Sequence, residues 1–132
     1  MQTSRKHTVG AFTLLEIMIV VAIIALLASI FSSNVLRARK RAQATKVLDD
    51  LRTLDGALDL WALETNRQTG DIAQFSDLQP YLKQQNKLNL TGTDVFGQPY
   101  GPYSVDVGPK VAQSTFAALS DVAPPEFWSP YY

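Results

Sequence analysis

From Phe12 to Phe31 the chain runs for 20 residues through Val, Ile, Leu, Ala and Met with a single acid, Glu16, near the start. A helix of that length, rising about 1.5 Å per residue, spans roughly 30 Å, the depth of bilayer hydrocarbon. A carboxylate in that layer costs about 2.5–3.5 kcal/mol on insertion scales, so it needs a counter-charge or a purpose. Arg5 and Lys6 stand ahead of the run in a short leader, Met1 to Ala11. A secretory signal peptide would end in small residues at alternate positions, which Ala25-Leu26-Leu27-Ala28-Ser29 does not provide, and Glu16 would interrupt its apolar region. A plain signal anchor is the other ordinary reading.

The stretch Gly10-Ala11-Phe12-Thr13-Leu14-Leu15-Glu16 resembles the prepilin leader of type IV pilins and type II secretion pseudopilins. The resemblance implies that a prepilin peptidase cuts between Ala11 and Phe12 and methylates the freed amine of Phe12. A cut between Gly10 and Ala11 is the alternative, because the family usually has Gly immediately before the bond; cutting at Ala11 keeps Phe first and Glu fifth. Glu16 would then pair with the N-terminal amine of a neighbouring copy, offsetting two desolvation costs together. The plainer role for Glu16 is at the membrane interface, within reach of headgroups.

Composition narrows the chemistry further. Cysteine is absent and the one histidine, His7, lies in the leader, which removes Cys–His and Ser–His–Asp catalysis and zinc sites of the usual ligand set. Net charge is zero for the whole chain, so bulk charge recruits no nucleic acid. No enzymatic activity is expected; a carboxylate pair drawn from Asp94, Asp106 and Asp121 is the one arrangement left for it. Arg37, Arg39, Lys40, Arg41 and Lys46 follow the apolar run. Read by the positive-inside rule they invert the topology that the resemblance implies, with the leader cytoplasmic and the rest outside. The resemblance is the more specific signal. The basic run itself reads as a headgroup contact or an intersubunit charge patch.

Beyond the membrane segment no proline occurs before Pro80, and Val47, Leu51, Leu54, Leu58 and Trp61 recur at helical steps. That stripe is expected to bury, with Asp49, Arg52 and Asp59 on the opposite face. Gly70 is expected to provide a left-handed cap after Asn66. Ser76-Asp77-Leu78-Gln79 has the form of a capping box for a short helix from Asp77 to about Lys83. Thr93-Asp94-Val95-Phe96-Gly97-Gln98-Pro99-Tyr100-Gly101-Pro102-Tyr103 resembles the Asp-Pro-Trp-Gly-Asn-Pro-Tyr element of major pseudopilins, with Val-Phe in place of Pro-Trp. Tyr103 to Val107 and Lys110 to Gln113 are expected to be two strands joined at Gly108-Pro109, and Ser114 to cap a helix through Ser120. The aromatic tail from Pro124 to Tyr132 is expected to pack over the domain, with partner binding as the alternative. Asp94, Asp106 and Asp121 offer oxygens without the spacing of a calcium loop, so no metal site is assigned and calcium is the one cofactor left open.

The fold class expected is α+β and pilin-like: a long N-terminal helix, membrane-spanning in its first half, on a small C-terminal domain with short helices and a small antiparallel sheet. Its divisions are a leader (1–11), a membrane and filament-core helix (12–33), an amphipathic continuation (34–69) and a globular region (70–132). The resemblance implies a structural subunit that polymerises with itself into a type II secretion pseudopilus or related type IV pilus. Implied partners are the prepilin peptidase, the membrane, and an inner-membrane assembly platform with its ATPase. The implied location is the inner membrane, single-pass with the C-terminal domain periplasmic, and then the filament. A membrane-anchored binding module is the alternative.

Overall fold

The computed structural model describes residues 12–132, with 31–33 in backbone only. The cleavage positions Gly10 and Ala11 lie outside the described residues. Contacts divide the chain into two units, Met1–Leu36 and Arg37–Tyr132, and the first helix, α1 (Leu14–Glu64), contributes to both. The remaining elements, in order, are β1 (Ile72–Ala73), α2 (Phe75–Leu78), a 3-10 turn (Gln79–Tyr81), α3 (Lys87–Thr91), β2 (Tyr103–Ser104), α4 (Gln113–Leu119) and a second 3-10 turn (Pro125–Trp128). The α+β pilin-like class is therefore the observed one.

In the first unit α1 is long and apolar enough to cross a membrane, and none of that stretch is buried. Leu14, Ile17, Val20, Ile23, Ile24, Leu27 and Ile30 are all more than half exposed. A continuous apolar surface of this extent needs lipid or protein around it.

In the second unit the same helix is one wall of a core. Val47, Leu51, Leu54, Leu58 and Trp61, the stripe expected from spacing, are all buried, joined by Ala44, Leu48 and Ala57. They meet Leu78, Leu82, Leu88, Tyr100, Tyr103, Leu119, Trp128 and Tyr131 from the short elements. Asp49, Arg52 and Asp59 face solvent, as the pattern implies.

The helix ends differently from expectation. The left-handed residue is Asn66 (φ 52°), and Arg67 N–H closes back on the Ala62 carbonyl at 2.9 Å, a Schellman-type finish in which Asn replaces the usual Gly. Asn tolerates this conformation because its short polar side chain makes local hydrogen bonds. Gly70 is also left-handed (φ 93°), but its N–H donates to Val105 O at 3.3 Å and opens the sheet.

The sheet has two antiparallel strands, with Ile72 opposite Ser104 and Ala73 opposite Tyr103. The expected hairpin between Tyr103–Val107 and Lys110–Gln113 is corrected: β2 stops at Ser104, where Val107 and Gly108 N–H both fold back onto the Ser104 carbonyl. Asp106 (φ 69°) and Gly108 (φ 73°) take the left-handed turn conformation there. Lys110 to Ala112 instead runs beside the tail, with Val111 N–H donating to Tyr131 O at 2.8 Å. The first short helix is capped by Gln74, not Ser76: Gln74 N–H donates to Asp77 Oδ2 at 2.8 Å, so Asp77 is the third helical residue and Pro80 falls in the 3-10 turn that follows. Likewise α4 is preceded by Ala112, with Ser120 as its C-cap.

Leu54 is fully buried and Leu60 half exposed on the same helix. Leu54→Ala should cost about 2–5 kcal/mol, while Leu60→Ala should fall within about 0.5 kcal/mol of the parent. Denaturant unfolding of the full chain in detergent, followed by fluorescence of the core residues Trp61 and Trp128, measures both. Equal costs would contradict the assignment of the core face.

Candidate assembly site

Phe12 is exposed, and Thr13 immediately precedes the first turn of α1. Thr13 N–H donates to Glu16 Oε2 at 2.9 Å, the Thr13 hydroxyl donates to the same oxygen at 3.0 Å, and Glu16 N–H donates to Thr13 Oγ1 at 3.2 Å. These bonds form a reciprocal capping box, with Thr13 as N-cap and Glu16 as the third helical residue. The box therefore satisfies two amides, Thr13 N–H by the carboxylate and Glu16 N–H by the Thr13 hydroxyl, that would otherwise enter lipid unpaired. Glu16 Oε1 has no partner among the described residues. The Thr-x-x-Glu spacing carried this signal in the sequence, and a reading fixed on the carboxylate's charge passes over it.

The Asp94–Tyr103 element is a second organised site. Asp94 and its neighbours close a turn in which Asp94 Oδ1 accepts from Phe96 N–H at 2.8 Å and Gln98 N–H at 2.9 Å. Its other oxygen accepts from the Thr115 hydroxyl of α4. Gly92 (φ 60°) permits the approach: a Cβ there would lie 2.9 Å from the Phe75 ring. Tyr100 then reaches α1, its hydroxyl 3.4 Å from Asp50 Oδ2, while Lys46 Nζ holds Asp50 Oδ1 at 2.7 Å.

Two further tyrosines repeat the arrangement. Tyr131 of the tail donates to Asp55 Oδ2 at 3.1 Å, and Tyr81 of the 3-10 turn donates to Glu64 Oε2 at 2.7 Å. Three separate elements thus place a phenol on an acid of α1. The rest of the tail packs as expected: Trp128 is fully buried and its indole N–H donates to Ala123 O at 3.2 Å, while Phe116 and Tyr132 rings pack 4.8 Å apart.

The three carboxylates considered for metal or acid–base chemistry are not brought together. Asp94 is buried in its turn, Asp106 accepts from the Thr69 hydroxyl, and Asp121 pairs with Lys40 at 2.9 Å. Among the described residues no group of three or more His, Cys, Asp or Glu side chains is arranged to hold a metal. The hydrogen bond from Lys40 holds the Asp121 carboxyl below its usual range. Of the basic residues after the apolar run, Lys40 and Lys46 are engaged in ion pairs, while Arg37, Arg39 and Arg41 are exposed.

Residues 6–32 match the family model described as the prokaryotic N-terminal methylation motif. A type II secretion system core protein G from Escherichia coli K12 is 34% identical over 98 residues, 67% of this chain and 68% of the relative. This chain belongs to the pilin and pseudopilin family. Among other members, the core protein G of Klebsiella pneumoniae is 45% identical over 56 residues, 42% of this chain but only 40% of that relative's length. The type IV wide pilus major component PilA4 of Thermus thermophilus is 39% identical over 67 residues, 51% of each chain. No solved structure matches significantly.

In this pilin-like chain the phenols also set a pH limit. Burial first, then Asp50, raises Tyr100 well above the ordinary phenol range, and burial raises Tyr103 likewise. Burial and the bond to Asp55 raise Tyr131. Unfolded tyrosines titrate near pH 10, to order of magnitude. The fold favours the neutral phenols, so this stabilisation is complete below that pH and is lost as pH rises through the higher folded values. The melting temperature of the full chain in detergent should start to fall above about pH 10, more shallowly in Tyr100→Phe. A flat profile to strong alkali would contradict the clamps.

Proposed function

We propose that this chain is a structural, non-enzymatic subunit that polymerises into a type II secretion pseudopilus. Before assembly it spans the inner membrane once, leader in the cytoplasm and residues 37–132 outside. Prepilin peptidase removes the leader between Ala11 and Phe12 and methylates the Phe12 amine, and an inner-membrane platform with its ATPase drives polymerisation. No metal or other cofactor is part of the proposal.

One observation carries the reading: the exposed apolar stretch at the start of α1 has a single acid, with one oxygen engaged by its own cap and the other unengaged among the described residues. The cap holds Glu16 in a fixed position at the helix start, and Oε1 can accept from the positive amine of Phe12 on another copy. Neither charge is comfortable in hydrocarbon alone, and bringing them together removes both costs. Association of apolar helices in lipid lacks a hydrophobic drive of its own, so the charge pair selects ordered stacking over random clustering. The core protein G match over two thirds of the chain supports a secretion pseudopilus over a surface pilus.

A membrane-anchored binding module would need the aromatic tail as its grip. Trp128 and Tyr131 are buried in the core, which leaves Tyr132 as the exposed end of that tail.

Glu16→Ala should insert and accumulate in the membrane to normal levels yet give at least about tenfold fewer filaments, consistent with the loss of one buried charge pair. Sedimentation of sheared filaments, set against membrane-extracted protein, measures the ratio. Normal filament yield would remove the role assigned to Glu16.

A further inference from the structure

The apolar surface of α1 gives way to charge within a single step. Val35 and Leu36 are exposed, and Arg37, Arg39 and Arg41, exposed as well, follow at once. No acid lies between Glu16 and Asp49. Lys46 pairs with Asp50 and Lys40 with Asp121, whose carboxylate also feels the charge of Arg37. The guanidinium groups of the three arginines form no ion pair among the described residues. Four bases from Arg37 to Arg41, set against Asp121, leave an excess of three positive charges.

That excess is spread around the helix. At about 100° per residue, Arg37 and Arg41 lie on one side of α1 and Arg39 on the other, so the charges make a collar and not a stripe. A single neighbouring chain would meet one side of such a collar. A layer that surrounds the helix meets all of it.

We infer that Arg37, Arg39 and Arg41 form a docking collar for anionic phospholipid headgroups, whose phosphates accept paired hydrogen bonds from the guanidinium forks. This rests on the membrane placement of α1 proposed above and not on polymerisation. Arg37 and Arg41 come six and ten positions after Phe31, about 9 and 15 Å of helix. Helical side chains lean toward the N-terminus, here the end that enters lipid, and an arginine stem can lie along apolar surface while its head stays in a polar layer. With the apolar surface continuing to Leu36, the three heads fall in the headgroup layer, about 5–8 Å deep. Phosphatidylcholine carries the same phosphate with its charge cancelled by choline, so the collar selects lipids by net charge. It also gives a use to bases that stand where the positive-inside rule does not expect them. A subunit that leaves the bilayer for a filament has to release these lipids, so the charge of that leaflet opposes extraction.

Native mass spectrometry of the full chain released from nanodiscs of equal phosphatidylglycerol and phosphatidylcholine tests the collar. Phosphatidylglycerol adducts should outnumber phosphatidylcholine adducts by about tenfold. Changing Arg37, Arg39 and Arg41 together to Gln should bring the ratio to within about twofold of unity, and changing all three to Lys should keep most of it, since the charge remains. Lys83→Gln with Lys87→Gln, exposed bases outside the collar, should leave the ratio unchanged. Glu16→Ala should leave it unchanged too, even as filaments are lost, which separates this inference from the filament reading. Equal adducts on the parent chain would overturn the collar, as would a ratio that falls as far in the Lys83 and Lys87 variant, or adducts that an excess of inorganic phosphate removes. A triple Gln variant that keeps the parent ratio while its filament yield falls would overturn it as well, and assign the arginines to contacts between copies.

Discussion

One constraint governs the rest of the molecule: a helix whose first part has an apolar surface with none of the described residues packed over it. Hydrocarbon can cover that surface, but not the acid near its start. The capping box resolves part of the conflict, because Thr13 supplies two donors to Glu16 and Glu16 supplies one to Thr13. What is left is a charge held in one orientation with an oxygen to spare. A carboxylate so fixed loses little further freedom on meeting a cation, which is the advantage of preorganisation. In the proposed subunit, membrane anchor and polymer contact are the same segment before and after a partner arrives.

The second part of α1 has the opposite problem, being too apolar on one face to remain in water. A core from short elements covers that face, and little regular structure holds those elements together: the sheet has two residues per strand. Hydrogen bonds from side chains do the joining. Asp94 closes its turn and ties it to α4, and Tyr81, Tyr100 and Tyr131 anchor three separate segments on acids of α1. Each acid so used is satisfied without a base being consumed, except at Asp50, which also holds Lys46. The arginines of the basic run and the exposed acid Asp59 remain available for contacts beyond the chain.

Much of this was legible in the sequence where periodicity or charge carried it. The long helix, the buried stripe from Val47 to Trp61 and the packing of the tail follow from spacing and from the cost of exposing aromatic rings. What was not legible depended on residues with several roles. Asn66 took the helix-ending left-handed position expected of Gly70, and Gln74 capped a helix that Ser76 was better suited to cap. Lys110 to Ala112 alternates like a strand, yet pairs with the tail, because the turn at Asp106 and Gly108 sends the chain away from β2. The Thr13–Glu16 box was present as a four-residue spacing and needed only to be read as a cap. Asp50 gave little warning, since the tyrosine that meets it comes from 50 positions further on.

The central claim is that the Glu16 carboxylate of one copy meets the Phe12 amine of another. Filaments grown from an equal mixture of two preparations, one labelled with ¹⁵N at phenylalanine and the other with ¹³C at the glutamate carboxylates, would report this by solid-state magnetic resonance. The amine nitrogen is separable from backbone amides by its shift. A dipolar contact between that nitrogen and a carboxylate carbon, at about the distance of a charge-assisted hydrogen bond, is the result expected. No transfer between the two preparations would contradict the account.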